Sequence, residues 1–179
     1  MDDTQHPAHT DLLGVYLNDH LAGCALGVER ARCLAEAERG TSLAEALRPV
    51  VREFTEDRVG LLQLMRSLDV PVRRYKILAS RLAERAGRLK SNGRIVQRSP
   101  LTTVVELEAL RLVVEGKAAC WRMLRRLAGT DGRLDPVRLD SLLERAGRQA
   151  DTLERLRLRH AEKVFRPAGE GSARYATQG

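Results

Sequence analysis

The sequence predicts an all-α fold: a four-helix bundle of two antiparallel hairpins joined by a long basic crossover that holds a short helix. Three observations carry that expectation. Apolar residues recur with a period close to 3.6 almost throughout the chain. Proline follows a capping residue at Ser99-Pro100 and again at Asp135-Pro136, the favoured way to start a helix. Glycines at Gly40 and at Gly129–Gly132 leave room for tight turns only, whereas the stretch between the second and third long helices is far longer. Composition agrees with this. The 179 residues are 43% hydrophobic and only 3% aromatic, enough for one domain with a real core. A sandwich or barrel wants more aromatic and β-branched residues, and a disordered chain has far fewer aliphatic ones.

The first helix is expected from about Asp11 to Glu38, with Thr10 or Asp11 as its cap and Gly40 as its stop. From Leu12 to Val28 its only ionisable residues are Asp19 and His20, so it is apolar nearly all round. Such a helix is wrapped by its neighbours and the crossover, or it lies at an interface between subunits. Gly23 and Gly27 give it a smooth face for close packing. The second helix opens on a capping box, Ser42 with Glu45, and runs to about Leu68, with Pro49 bending its first turns.

Pro71 is expected to open a shorter basic helix to about Ala86, followed by a glycine-containing stretch from Gly87 to Arg98. Ser99 and Pro100 start the third long helix, which stops at Gly129. Asp135 and Pro136 start the fourth, which fades near Phe165. Residues 1–10 and 166–179 read as flexible tails around a bundle over residues 11–165, with the crossover at about residues 70–99. Two hairpins joined by one long crossover is the ferritin-like topology, because an up-down-up-down bundle needs no such connection.

No basic segment followed by an apolar run opens the chain, and no stretch of about 18 uncharged apolar residues exists to span a membrane. Cys24, Cys33 and Cys120 are odd in number, form no C-x-x-C and sit in apolar helical patterns. A reduced, cytoplasmic protein without disulfides is the expectation.

The net charge of +7 is unevenly placed. Between Arg73 and Arg98 stand nine basic residues opposed only by Glu84, so the rest of the chain is nearly neutral. The 27 arginines against 4 lysines follow the Ala, Leu and Gly richness of high-GC coding and are not themselves evidence of arginine chemistry. Arg88, Lys90, Arg94 and Arg98 are the candidate anion-binding residues of the crossover. Gly87 to Arg94 only superficially suggests a phosphate loop, since no Gly-Lys-Ser/Thr closes the spacing and no strand precedes it. With Tyr75 the one aromatic available for stacking, sequence-specific nucleic-acid recognition is not expected. The bland alternative is that these arginines cover acidic faces of the long helices.

Polar residues interrupt the apolar stripes at four places. His20 falls in the stripe Leu13, Leu17, Cys24, and Asp57 in the stripe Val50, Phe54, Leu61, Leu64. Glu108 and Gln149 do the same on helices three and four. Asp19, His20, Asp57 and Glu108 are therefore the candidate metal ligands, with a transition metal as the cofactor if one binds. Dinuclear sites in such bundles use Glu-x-x-His on two helices, and this chain has no Glu-x-x-His. The competing reading is a buried His20–Asp57 pair that fixes helix register. Glu106 and Glu108 are expected to meet Arg155 and Arg157, and Glu115 to meet Arg148, as interhelical ion pairs. No nucleophile stands out: Cys24 and Cys120 lack a positioned base, and no G-x-S-x-G occurs.

The segments Tyr16-Leu17-Asn18-Asp19-His20, Glu56-Asp57-Arg58, Gly87 to Arg94, Arg98-Ser99-Pro100-Leu101, Glu106-Leu107-Glu108 and Gly116-Lys117 before Trp121 carry a resemblance. Over about Asp11 to Phe165 the chain resembles a group of uncharacterised ferritin-like four-helix-bundle proteins of high-GC, actinobacterial-type bacteria. The resemblance implies the fold and brings no activity with it. It also directs attention to Asn18, Asp19, His20, Glu56, Asp57, Arg58, Glu106 and Glu108. A structural or interaction protein without catalysis is the leading expectation, with self-association through helix one. A metal-binding or redox protein is the alternative, and an anionic partner at the crossover the weaker one.

Overall fold

The computed structural model describes residues 6–73 and 99–166. Four helices account for nearly all of them: α1 (His6–Ala37), α2 (Ser42–Ser67), α3 (Pro100–Leu127) and α4 (Pro136–Phe165). No strand occurs among the described residues. None of the described helices is long and apolar enough to cross a membrane.

Helix α1 begins at His6 and passes straight through Thr10 and Asp11, the two residues expected to cap it. At its other end Gly40 adopts φ +81, the left-handed conformation that glycine enters without a Cβ penalty. Thr41 is then extended and caps α2, its hydroxyl accepting from the Ala44 amide at 3.3 Å and donating to the Glu38 carbonyl at 2.7 Å. The cap lies one residue before the expected Ser42, because Ser42 is already helical once Gly40 has turned the chain. Glu45 accordingly pairs with Arg48 at 2.9 Å instead of closing a capping box.

Past α2, Asp69 takes a left-handed φ of 57 and the Val70 amide reaches back to the Met65 carbonyl at 2.9 Å. This closes the helix by the same device glycine usually serves. Pro71 to Arg73 carry no helix. The remainder of the helix expected from Pro71 lies outside the described residues.

The two proline starts stand where the sequence puts them. Ser99 Oγ accepts from the Leu101 amide at 3.3 Å, and Asp135 Oδ1 from the Val137 amide at 2.9 Å. Helix α3 ends at Leu127, two residues before the expected Gly129. In the α3–α4 turn Asp131 Oδ1 accepts from the Arg133 amide at 3.1 Å, and the Arg133 guanidinium grips the same carboxylate. That grip holds the Asp131 carboxyl down at about 2. Leu134 and Leu139, on either side of the Asp135 cap, are both buried and act as a hydrophobic staple on the entry to α4.

Each helix is antiparallel to the neighbours it touches. Between α1 and α3, Thr103 donates to Glu38 at 2.7 Å, Arg30 pairs with Glu106 at 2.8 Å, and Gly27 faces Val113. Residue numbers thus fall along α1 as they rise along α3. Between α2 and α4 the same order holds, with Gln149 bonded to Glu53 and Arg145 to Glu56. Helices α2 and α4 make much sparser contact than α1 and α2 or α3 and α4 do.

The core is aliphatic around two buried rings, Trp121 and Phe54. Leu17, Leu34, Leu47, Leu61, Leu107, Leu124, Leu139 and Leu153 are fully buried with Trp121. Burial stabilises each leucine by about 1.5–3 kcal/mol relative to exposure. Asn18 lies in this interior at 1% exposure, bonding the Gly14 carbonyl at 2.7 Å, the Pro71 carbonyl at 3.1 Å and the Arg73 amide at 2.9 Å. It pins the chain leaving α2 onto α1. Among the described residues, the other helices leave part of α1 uncovered, with Leu12 72% exposed and Val15 40%.

Candidate functional site

The α2 stripe Val50, Phe54, Asp57, Leu61 turns Asp57 inward, where it is 1% exposed. On α3, Lys117 occupies the core position between Val114 and Trp121 and is 5% exposed. Helix geometry then dictates the meeting, because a lysine in that register must cross the interior to find a charge. Its ammonium donates to Asp57 Oδ2 and, at 2.6 Å, to Gln149 Oε1 on α4. The same nitrogen lies 4.3 Å from the centroid of the Phe54 ring, a cation–π contact in a desolvated place.

Gln149 completes the cluster by donating through Nε2 to Asp57 Oδ2 at 3.1 Å and to Glu53 Oε2 at 2.9 Å. Arg145 approaches from the open α2–α4 seam, pairing with Asp57 Oδ1 and, at 3.2 Å, with Glu56 Oε2. One buried carboxylate thus answers two cations and an amide from two other helices. Burial lowers the Lys117 pKa and Arg145 adds to that, while the Asp57 carboxylate opposes both. Such a network is costly to leave half-made, so it fixes how α2, α3 and α4 stand relative to one another.

A second feature lies on the other side of α3. A cleft of about 340 Å³ opens between α1 and α3, with Tyr16, Asp19, His20, Gly23 and Cys24 on one wall and Val113, Gly116 and Lys117 on the other. The His20 ring meets Tyr16 edge-on, with centroids 4.4 Å apart. Partial burial depresses the His20 pKa below its ordinary 6.5, with Asp19 opposing the shift, so the imidazole is neutral at pH 7. Burial pushes the Cys24 thiol up to about 11 and raises Cys120 further. Neither is an activated nucleophile, which would need a depressed pKa.

The residues expected as metal ligands are distributed over three places. Asp19 and His20 line the cleft, Asp57 is inside the network, and Glu108 lies at the surface of α3 with Arg157 at 3.3 Å. The carboxylate of Asp57 is taken by Lys117 and Arg145, where a pairing with His20 was expected. Among the described residues no group of three or more His, Cys, Asp or Glu side chains gathers to hold a metal ion.

The expected ion pairs are met in part. Glu108 does meet Arg157, but Glu106 turns to Arg30 of α1 and Glu115 to Arg122 of its own helix at 3.9 Å. Arg88, Lys90, Arg94 and Arg98 lie outside the described residues. Sequence reasoning passed over Lys117 and Arg145. A signal for Lys117 existed, since it falls three residues after Val114 and four before Trp121 in the α3 core stripe. A lysine at such a position ordinarily snorkels to solvent, and only the opposing Asp57 and Gln149 keep this one inside.

Compared with protein-family models, curated proteins and solved structures, the chain matches none.

Proposed function

We propose that this protein is a ferritin-like four-helix bundle acting as a structural or interaction protein without catalytic chemistry of its own. The single observation that carries the reading is the use of the interior polar groups: Asp57, Lys117 and Gln149 bind one another. In an oxidoreductase of this architecture the same layer of the bundle presents carboxylates and imidazoles to a metal. Here a lysine ammonium occupies the middle of that layer and brings its own positive charge to the carboxylate.

The ferritin-like part of the proposal has separate support. Val70 lies beside Gly14, near the start of α1, while Thr103 bonds Glu38, just past its end. The two ends of the connection between α2 and α3 are therefore separated by roughly 35 Å of helix at 1.5 Å per residue. A crossover along the bundle is what this topology requires.

Metal analysis of the purified full chain tests the reading. The expected result is no stoichiometric metal after exposure to iron, manganese and zinc in turn, with unchanged thermal stability. Stoichiometric uptake that is lost in His20→Ala would overturn it and establish a metal protein instead.

A further inference from the structure

The four helices are not held to one another in the same way. Helices α1 and α3 interlock, since a Cβ added to Gly27 would come within 2.7 Å of Val113 and no methyl group fits there. Helices α2 and α4 stand further apart, with much sparser contact than exists inside either hairpin. A Cβ added to Gly60 of α2 would come no closer than 3.9 Å to Arg138 and Leu142 of α4. A cleft of about 380 Å³ lies between the two helices, with Thr55, Val59 and Gly60 on one side and Ser141, Leu142 and Arg145 on the other.

Polar side chains span this gap. Arg138 donates to Gln63, Arg145 pairs with Glu56 at 3.2 Å and with Asp57, and Gln149 donates to Glu53 at 2.9 Å and to Asp57 at 3.1 Å. Contacts of this kind exchange for contacts with water at little net cost, whereas parting close-packed leucines carries the full penalty of wetting them. The charges behind the seam do not oppose its opening. Burial penalises the Lys117 ammonium, and that ammonium regains water when Asp57 moves away from it. Parting the pair strands neither charge in the interior, unlike deletion of one partner.

We infer that the bundle opens at the α2–α4 seam, its two hairpins parting about the α1–α3 contact, with Arg145 as the latch. Arg145 holds both layers of the seam at once, the half-exposed Glu56 outside and the buried Asp57 within. Its release therefore unties the surface pair and the interior network together. The open state presents Asp57, Lys117 and Gln149 to water, with the inward-facing Leu61 and Leu142 beside them. Opening of this kind lies below global unfolding in free energy, because α1 and α3 stay packed. Salt favours it by screening the latch.

Thiol labelling of the full chain, with each site resolved by peptide mapping, tests this. Cys33 is exposed and is removed as Cys33→Ser. Cys120, 1% exposed on α3, reports the α1–α3 contact. Ala146→Cys places a second thiol on the buried face of α4, between Leu142 and Gln149, to report the seam. The seam thiol is expected to react at least about tenfold faster than Cys120 and with a shallower urea dependence, as sub-global opening requires. Arg145→Met and a rise to about 1 M salt are each expected to speed the seam thiol more than Cys120. Leu142→Cys replaces the reporter should Ala146→Cys fail to fold, which circular dichroism establishes. Equal rates with equal urea dependence at both sites overturn the inference, because only global unfolding then exposes the seam. A fast seam thiol indifferent to Arg145→Met overturns it too, because Arg145 is then no latch.

Discussion

Lys117 of α3 reaches across the bundle interior to Asp57 of α2, on the helix diagonally opposite, with both side chains nearly excluded from solvent. A pair of this kind is easier to break than to do without. Asp57→Ala leaves the Lys117 ammonium and the Arg145 guanidinium facing a carboxylate that has gone, and is expected to cost about 3–5 kcal/mol. Lys117→Met removes the buried cation but leaves Asp57 its Arg145 and Gln149 partners, so it costs less. The double variant is expected to be more stable than Asp57→Ala alone. Urea denaturation of the three variants measures the coupling, and simple additivity would show that the two residues do not act as a unit.

The partly buried His20 gives stability a dependence on pH. Its folded pKa lies below the ordinary 6.5 because burial disfavours the imidazolium. The unfolded chain therefore binds the proton first as pH falls, and stability declines from about pH 6.5 downward through the folded pKa. The neighbouring Asp19 carboxylate lessens the effect without reversing it. The melting temperature is expected to be lower at pH 5.5 than at pH 7.5 in the wild type. In His20→Gln the difference should shrink, and an unchanged difference would assign it to other groups.

Much of this was legible from residue order. Ser99-Pro100 and Asp135-Pro136 mark their helices because the cap and the fixed proline φ are local devices that need no tertiary partner. Asp57 and Gln149 could be placed in the core from periodicity alone. Their partners could not. His20 and Lys117 both fall in core stripes, and the choice between them depends on which helix lies diagonally across from α2. Glu108 illustrates the opposite error: it adjoins the stripe Leu107, Leu110, Val114 but points outward to Arg157. A shift of one residue turns a helix by 100°, enough to exchange inside for outside. The start of α1 was missed for a related reason, since Thr10 and Asp11 are good caps that the helix simply continues through.

Asn18 holds the end of α2 against α1 through three backbone contacts, to Gly14, Pro71 and Arg73. Asn18→Ala leaves the Pro71 carbonyl and the Arg73 amide without that partner and is expected to cost about 1–3 kcal/mol. The effect should be local as well as global. Hydrogen exchange of the Val70 and Arg73 amides is expected to accelerate, whereas Asn18→Asp should preserve acceptance from Arg73 and lose donation to the carbonyls. Equal exchange in Asn18→Ala and wild type would show that the pin is dispensable.

Gly27 and Gly147 separate two meanings of glycine in a helix. At Gly147 an added Cβ meets nothing, so Gly147→Ala should stabilise by up to about 1 kcal/mol through propensity alone. At Gly27 the same addition comes within 2.7 Å of Val113 Cγ1 and 3.5 Å of the Phe54 ring. Phe54 also carries the Lys117 ammonium on its face, so its ring cannot retreat without disturbing the buried pair. Gly27→Ala is therefore expected to destabilise by about 1–3 kcal/mol despite the better helix former. Val113 is the side chain free to give way, being only half-buried. Combining Gly27→Ala with Val113→Ala should recover part of the loss in thermal denaturation. Recovery would locate the strain at the α1–α3 contact, and its absence would move it to Phe54 and the charge network beneath.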